Sequence, residues 1–312
     1  MTLPSTAQVA AEISNLQAGR TGTKDEVRIR NLLLSQRGAA LTELKRLLDA
    51  GGDYRNTLQL IESDIDDHAV RIEIIAHLAS AVSRSVPAPW KLLTDIDDTI
   101  LSSLHDKRFK KGVVYPGVRA FQAELDAGHA PGRRRGDLVL LSARPEDRLG
   151  FMEDRTLRHL RASGIDQATL LPGEWTGLVN HEAMARVKLA RFRAFAAINP
   201  EFDFVFTGDN GQGDALLAEA LQKEPGDRVR GTFIHVVTAF DPGERERFEA
   251  AGVRFFETWV GAARLAEEAG LIDEDAVQRV VRAAEQEADA VNPDWRNTDW
   301  GRAFLRDATG PR

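Results

Sequence analysis

The chain has 312 residues, of which 43% are hydrophobic and 29% charged, and its net charge is −7. This composition is ordinary for a globular protein, and the acidic balance argues against a general nucleic-acid binder. The chain has no cysteine, which excludes disulfides and thiolate metal sites, so any metal must be held by oxygen or imidazole. The N-terminus lacks the basic and then apolar segments of a signal peptide, and no apolar run is nearly as long as a transmembrane helix. We therefore expect a cytoplasmic protein without a transmembrane segment.

The first third of the chain predicts helices. Residues 1 to about 25 are small and polar and predict a loosely held lead-in. From residue 27 to residue 82, apolar side chains recur at helical spacing with one break. We therefore expect an N-terminal helical unit over residues 1–86. A packing or dimerising accessory is its favoured role, and substrate binding is the alternative. The two prolines within 86–90 mark its boundary.

The stretch that organises the chain follows, Leu92-Leu93-Thr94-Asp95-Ile96-Asp97-Asp98-Thr99-Ile100. Its apolar run predicts a buried strand that delivers acids to the carboxyl edge of a sheet, where ligands of α/β proteins bind. Such acids need a cation, a proton or a positive side chain to neutralise them, which indicates a metal and phosphoryl site. The tetrapeptide Asp-Ile-Asp-Asp also occurs at residues 64–67, where the helical pattern after it predicts a solvated helix start. The tetrapeptide alone is therefore not specific.

Two basic segments come next. Residues 106–112 are strongly basic and predict a loop or short hairpin that projects over the acidic edge. A basic run such as Lys107 to Lys111 is usually a solvated face, but beside a phosphate site it could meet an anionic substrate. A short helix over 118–125 leads to a second basic turn, Arg133 to Arg135.

A hydroxyl and a lysine follow at the positions where a phosphate site needs them. Leu138 to Leu141 predict a second buried strand that ends in Ser142, which could donate to an anion or cap the next helix. That helix stops at Gly164, and residues 165–180 are rich in loop-forming residues. A helix over about 181–197 carries Lys188 in its middle.

The last strands complete an α/β pattern. A strand over 202–207 ends in Gly208-Asp209-Asn210-Gly211-Gln212-Gly213-Asp214, which brings two more carboxylates to the same edge. Strands over 232–237 and 253–256 follow, and the alternation predicts a doubly wound, mainly parallel sheet over residues 87–288. His235 lies in an apolar strand, so we interpret it as a packed or supporting residue in preference to a ligand. Two helices follow, divided at Gly270. The chain ends in a C-terminal tail, residues 289–312, and we expect its tryptophans to dock on the body of the domain.

The motifs taken together resemble those of a known superfamily. An acid pair with threonine, a hydroxyl, a lysine and a glycine-framed acid pair occur in the order found in the haloacid dehalogenase superfamily of phosphohydrolases, over about 90–262. More narrowly, the chain resembles the catalytic domain of the actin-patch-associated phosphatidate phosphatase family. That closer resemblance is carried by residues 95–100, Tyr115-Pro116-Gly117-Val118, the 208–214 run and Phe256-Glu257-Thr258-Trp259-Val260. Asn210 stands where that family usually has serine.

The resemblance implies a Mg²⁺-dependent phosphomonoester hydrolase that acts through an aspartyl-phosphate, on phosphatidate or another bulky phosphorylated substrate. The resemblance implies that Asp95 is the nucleophile, Asp97 the general acid and base, and Thr99 an orienting hydroxyl. It implies that Ser142 and Lys188 bind the phosphoryl oxygens. It also implies that Mg²⁺ is held by Asp95, Asp209, Asp214 and the backbone carbonyl of Asp97.

Other functions stay open at this point. The motif spacing leaves no room for a large cap domain, and an open site suits a lipid surface, a nucleic-acid end or a phosphoprotein. The basic segments fit an anionic membrane surface or a polynucleotide equally well. A receiver domain uses similar chemistry but would not need Asp97 or the late acid pair. A non-catalytic scaffold would be expected to lack a motif residue, and this chain has all of them.

Overall fold

The computed structural model describes residues 4–49, 55–85, 89–127, 137–145, 151–165, 168–173 and 180–310. Within these ranges one six-stranded sheet has the order β3-β2-β1-β4-β5-β6, and every strand pair is parallel. The predicted α/β architecture with a parallel sheet is therefore confirmed. The strands are β1 (Trp90–Thr94), β2 (Leu138–Pro145), β3 (Ala168–Gly173), β4 (Asp203–Asp209), β5 (Val229–His235) and β6 (Val253–Phe256).

Helices cover both faces of this sheet. A π-helical turn, Leu60–Asp64, and a 3₁₀ turn, Trp295–Asn297, accompany them. The helices are α1 (Thr6–Leu16), α2 (Thr23–Leu34), α3 (Gly38–Asp49), α4 (Thr57–Gln59), α5 (His68–Ser80), α6 (Val118–Ala127), α7 (Phe151–Ala162), α8 (His181–Ile198), α9 (Asp214–Gln222), α10 (Pro242–Ala250), α11 (Trp259–Glu268), α12 (Glu274–Val291) and α13 (Asp299–Thr309).

The two faces of the sheet form two hydrophobic cores. Successive strand residues point to opposite faces, so Leu92 and Leu93 of β1 enter different cores. Leu93 and Phe204 pack with α1 to α5 and α8 to α10, whereas Leu92 and Val205 pack with α6, α7 and α11 to α13. Burial on both faces explains why the central strands are continuously apolar. The strand order reverses between β1 and β4, which is the position where ligands bind in such sheets.

Strand β3 was not predicted, because residues 165–180 were expected to be loop-rich. It pairs with β2 at the edge of the sheet, and its Leu170 and Leu171 are buried in the two opposite cores. The apolar run is too short for a periodic signal and is followed by Pro172 and Gly173. Proline is tolerated in edge strands, where a missing N–H breaks no ladder. Only pairing with β2 makes this segment a strand.

The expected loose lead-in over residues 1 to 25 is wrong, because α1 lies within it. Ser5 caps α1, and the Gln8 side chain accepts from the Ser5 N–H at 2.8 Å. Val9 and Ile13, one helical turn apart, are fully buried in the core that contains Leu93. Val9, Ile13 and Leu16 follow helical spacing, but the small and polar residues between them weaken the sequence signal, and packing against the other helices stabilises the helix.

Helix α3 attaches the N-terminal helices to the amino ends of the strands. The fully buried Lys45 donates to the carboxylate of Glu201 and to the carbonyl of Ile198, both at 2.8 Å. Arg46 makes a bidentate pair with Asp137, just before β2, at 3.1 and 2.6 Å. Both contacts lie at the end of the sheet opposite the carboxyl ends of the strands. The division into units at residue 86 stays a prediction, and residues 86–88 lie outside the described ranges.

The repeated acidic tetrapeptide begins a helix, as its sequence context predicts. Asp67 caps α5 and accepts from the N–H groups of Ala69 at 2.8 Å and Val70 at 3.1 Å. Asp64 accepts from the side chain of Gln17 at 2.7 Å. Here the tetrapeptide therefore caps a helix through Asp67, and its acids supply matched positions for control variants.

The C-terminal residues pack on the body of the domain. Trp295 and Trp300 are buried in the core of α11 and α12, which confirms the predicted docking of the tryptophans. Gly270 lies between α11 and α12 as expected. Within the described ranges, no helix is both long enough and apolar enough to cross a bilayer.

Candidate active site

The carboxyl ends of β1 and β4 bring three predicted acids together. Asp95 directly follows β1, and Asp209 is the last residue of β4. Thr94 is paired with Thr207, so both acids lie at the same edge of the sheet. Asp214 begins α9, which leaves β4 through the glycine-rich run. Carboxylate oxygens of Asp95, Asp209 and Asp214 lie within 4.8 Å of one another.

Lys188 joins two of these acids. Its ammonium donates to Asp95 Oδ1 and to Asp214 Oδ1, both at 2.6 Å, and its side chain is only 3% exposed. Burial by itself would lower the pKa of Lys188, but the carboxylates of Asp214 and Asp95 raise it above its ordinary value. Lys188 is therefore a permanent cation, and helix α8 is the element that delivers it.

The cluster has more negative charge than Lys188 can balance. Oδ2 of Asp95, of Asp209 and of Asp214 is buried and has no hydrogen-bond partner among the residues that the structure describes. Three carboxylates and one ammonium leave a formal charge of −2. Burial raises the pKa of Asp95 to about 7 against the opposing charge of Lys188, and it raises the pKa of Asp209 well above its ordinary value. An oxygen-only donor set with this charge fits a hard divalent cation such as Mg²⁺.

The other predicted residues are Asp97 and Thr99, in the turn after β1, and Ser142, in β2. Asp97 is half-buried in the turn after β1, and its negative charge contributes to the raised pKa of Asp95. Its side chain is not one of the three clustered carboxylates in the described chain. Thr99 is fully buried, and its hydroxyl has no partner within the described ranges. Ser142 is buried near the carboxyl end of β2, next to β1 in the sheet.

Glycines in the run after β4 allow the acids to approach. A Cβ atom on Gly208 would lie 2.6 Å from the Cβ of Asp214, closer than carbon atoms can pack. A Cβ on Gly213 would lie 2.3 Å from the carbonyl oxygen of His181, at the start of α8. These two glycines thus let α9 and α8 close on the end of β4, which brings Asp214 and Lys188 together.

The turn after β1 is organised by Asp98, a role that the sequence did not reveal. Asp98 has φ of 56°, the left-handed region that aspartate tolerates better than most residues. Its carboxylate accepts from the N–H groups of Ser103 at 2.7 Å, Leu104 at 3.1 Å and His105 at 2.7 Å. Aspartate is typical of such local caps, and the third acid of the motif could have been interpreted in this way.

A buried histidine also holds this turn. The Nδ1 atom of His235 lies 2.9 Å from the carbonyl oxygen of Asp98, and its Nε2 atom lies 3.1 Å from Nη2 of Arg108. A guanidinium can only donate, so Nε2 accepts and Nδ1 carries the proton. Burial and the charge of Arg108 lower the pKa of His235 to about 4. His235 is thus a neutral supporting residue, in agreement with its interpretation from the sequence.

The basic segment after β1 is only partly solvated. Its short hairpin is marked by an antiparallel bridge between Leu101 and Val114. Arg108 folds back to Asp106 at 2.8 Å and to the carbonyl of Val236 at 3.0 Å. The remaining cations, Lys107, Lys110 and Lys111, are exposed. The second basic turn, Arg133 to Arg135, lies outside the described residues.

Asn210 ties the loop after β5 to the end of β4. Its side-chain oxygen accepts from the N–H groups of Val237 at 2.7 Å and Thr238 at 3.0 Å, and its amide donates to the Thr238 carbonyl at 2.8 Å. A serine hydroxyl is shorter and would have to make all three bonds through a single oxygen atom. This residue, noted in the sequence only as a difference from a family pattern, therefore fixes the loop beside Asp209.

The protonation of His235 gives a testable pH dependence of stability. Above the ordinary histidine pKa of about 6.5, neither the folded nor the unfolded chain binds this proton, so the full stability is present. As the pH falls from about 6.5 towards 4, the unfolded chain takes up the proton first, and we expect the free energy of unfolding to drop by up to about 3 kcal/mol. Urea unfolding across this range measures the slope. A His235→Asn variant should lack this contribution, and an unchanged slope in that variant would contradict the assignment.

Comparisons with protein-family models, curated proteins and solved structures found no match for this chain. The function must therefore be argued from the chemistry of the site. The strongest features are the order of the strands, the three clustered carboxylates and the lysine between two of them.

Proposed function

We propose that this chain is a Mg²⁺-dependent phosphomonoester hydrolase of the haloacid dehalogenase type, which acts through an aspartyl-phosphate. One observation carries the proposal: Lys188 bridges Asp95 and Asp214 beside Asp209, and each acid keeps a buried oxygen without a partner in the described chain. The parallel sheet, with this cluster at the point where the strand order reverses, supports the same conclusion.

A divalent cation would be held by Asp95, Asp209 and Asp214, with the backbone carbonyl of Asp97 as a further donor. When bound, the cation neutralises the carboxylates and polarises the phosphoryl group, so that a phosphate dianion can approach. Asp95, at 5% exposed, is the one member of the three with measurable access to solvent. Asp209 and Asp214 are fully buried, as expected of groups that bind the ion and do not touch the substrate.

The residues of the chain then divide the reaction between them. The Asp95 carboxylate attacks phosphorus, and the bond between phosphorus and the leaving oxygen breaks. Asp97, as a carboxylic acid, gives its proton to that oxygen. Lys188 and Ser142 bind the phosphoryl oxygens, on which negative charge develops. Water then attacks the aspartyl-phosphate, Asp97 takes the proton, and inorganic phosphate leaves with Asp95 regenerated.

Short connections at this edge of the sheet favour a bulky substrate. Residues 96–117, between β1 and α6, contain only turns and isolated bridges. The connection between β3 and α8 is only residues 174–180, too short for a cap domain. An open site would admit a phosphate at the head of a lipid such as phosphatidate, and the exposed Lys107, Lys110 and Lys111 would face an anionic surface.

The test is Mg²⁺-dependent phosphate release from phosphatidate in mixed micelles. A 3′- or 5′-phosphorylated oligonucleotide and a small aryl phosphate are run in parallel, and Asp95→Asn is the blank. Release from phosphatidate alone supports the reaction and the lipid substrate. Release from the oligonucleotide or the aryl ester retains the reaction and replaces the substrate class. No release from any of them would contradict the proposed activity.

Cation binding can be tested without turnover. We expect Mg²⁺ to raise the melting temperature of the protein, since a ligand at 100 times its dissociation constant adds about 2.7 kcal/mol to the stability of the folded state. Asp209→Asn should lose most of this shift, yet it should be as stable as the parent without Mg²⁺, because one buried carboxylate is gone. Asp66→Asn, on the exposed copy of the tetrapeptide, is the control and should retain the full shift. An equal shift in all three proteins would place the ion elsewhere.

A further inference from the structure

The turn that carries Asp97 is fixed through the next residue, Asp98. The side chain of Asp98 accepts three N–H groups from residues 103–105, and its own N–H donates to the Leu101 carbonyl at 2.8 Å. Its carbonyl oxygen is held by His235 at 2.9 Å. Asp98 also has a positive φ of 56°, a conformation that needs support from its surroundings. The residue next to Asp97 is therefore held at its N–H, at its side chain and at its carbonyl.

The ring of His235 is buried and contacts aromatic and polar groups. It is 1% exposed, stacks on Phe256 with ring centres 5.2 Å apart, and meets the edge of Tyr115 at 4.7 Å. Arg108 donates to Nε2 and is itself bound to Asp106 and to the end of β5. With the ring and its tautomer both fixed, the Nδ1–H group has one direction, towards the carbonyl of Asp98.

We propose that His235 is a positioning residue of the reaction: it holds the turn after β1 so that the carboxyl group of Asp97 is aimed at the leaving oxygen. This inference rests on the proposed phosphatase function. His235 does not touch the reacting atoms and acts through the Asp98 carbonyl. His235, the last residue of β5, would thereby support Asp97, the acid and base of the reaction, in the turn after β1.

Packing alone would not require a histidine here. An apolar ring of similar size could fill the same space between Phe256 and Tyr115, but it would leave the Asp98 carbonyl without its donor. Nothing else in the described chain is seen to bond that carbonyl. The donor at Nδ1 is thus the feature that a positioning role requires and a packing role does not.

Two substitutions distinguish the roles of the two ring nitrogen atoms of His235. Asparagine places its amide nitrogen near the position of Nδ1 and can still donate to Asp98, whereas glutamine reaches the position of Nε2 and cannot. We expect His235→Gln to lower kcat by about 10- to 100-fold with KM changed less than about 3-fold, because a small misplacement of a proton donor is costly. His235→Asn should retain most of kcat.

His77 supplies the matched control. It is also buried, but it lies in α5 and bonds the Gln36 carbonyl through Nε2, at 2.9 Å. His77→Asn should lose that bond and some stability, and His77→Gln should keep it. Neither variant should change kcat. A loss of kcat in His77→Asn equal to that in His235→Gln would show that general destabilisation, not positioning, accounts for the effect.

Hydrogen exchange tests the same inference without any substrate. The amides of residues 103–105 are bonded to the Asp98 carboxylate and should be protected in the parent. We expect at least about tenfold faster exchange in His235→Gln and nearly parental exchange in His235→Asn. If the parent hydrolyses no phosphomonoester, the proposed function fails, and exchange still decides whether His235 orders this turn. Parental kcat and parental exchange in His235→Gln would overturn the inference.

Discussion

Replacing Asp95 by asparagine is expected to lower phosphate release by at least about 10³-fold, because an amide cannot attack phosphorus. Asparagine has nearly the same size as aspartate, and Lys188 keeps its second partner, Asp214, at 2.6 Å. We therefore expect the variant to fold with a melting temperature close to that of the parent. Initial rates under saturating Mg²⁺ and a thermal melt of the same preparation make the measurement.

The repeated tetrapeptide offers a matched control for this result. Asp64 occupies the same place in its copy of the motif, but it accepts a hydrogen bond from Gln17 and is not one of the clustered carboxylates in the described chain. Asp64→Asn should keep parental kcat. A variant Asp95→Asn with more than about a tenth of parental activity would exclude Asp95 as the nucleophile.

The second large effect is expected at Lys188. Changing it to methionine keeps most of the apolar stem of the side chain but leaves buried carboxylates without their cation, at a cost of about 3–5 kcal/mol in the free energy of unfolding. The loss of a cation that binds the phosphoryl oxygens should also lower kcat by about 10²- to 10³-fold. Mg²⁺ should stabilise this variant more than the parent, since the ion then meets three uncompensated acids. Urea unfolding with and without Mg²⁺, beside steady-state kinetics, measures both effects.

A second buried lysine separates stability from catalysis. Lys45 is fully buried and bonded to Glu201 at the opposite end of the sheet. Lys45→Met should lose a similar amount of stability, because it also leaves a buried carboxylate unpaired. Its folded fraction should keep parental kcat. Equal loss of kcat in both variants would mean that Lys188 matters for folding only.

The sequence predicted the central architecture because its signals are local. Strands β1, β2 and β4 contain apolar runs that end in a hydroxyl or an acid, because the central strands of a parallel sheet are buried on both faces. Helix α8 and the pair α11 and α12 follow from periodicity and from Gly270. The exceptions are α1, β3 and α13, which depend on packing against other elements.

The sequence by itself determined which side chains reach the carboxyl edge of the sheet, since Asp95 and Asp209 each end an apolar run and the loops that follow must leave the sheet there. The tertiary structure decided how these groups meet. Lys188 lies 93 residues from Asp95 and bonds to it because α8 packs on the face of the sheet that contains Leu93. His235 lies 137 residues from Asp98 and bonds to its carbonyl. Such contacts depend on the packing of whole elements, which no local pattern of residues records.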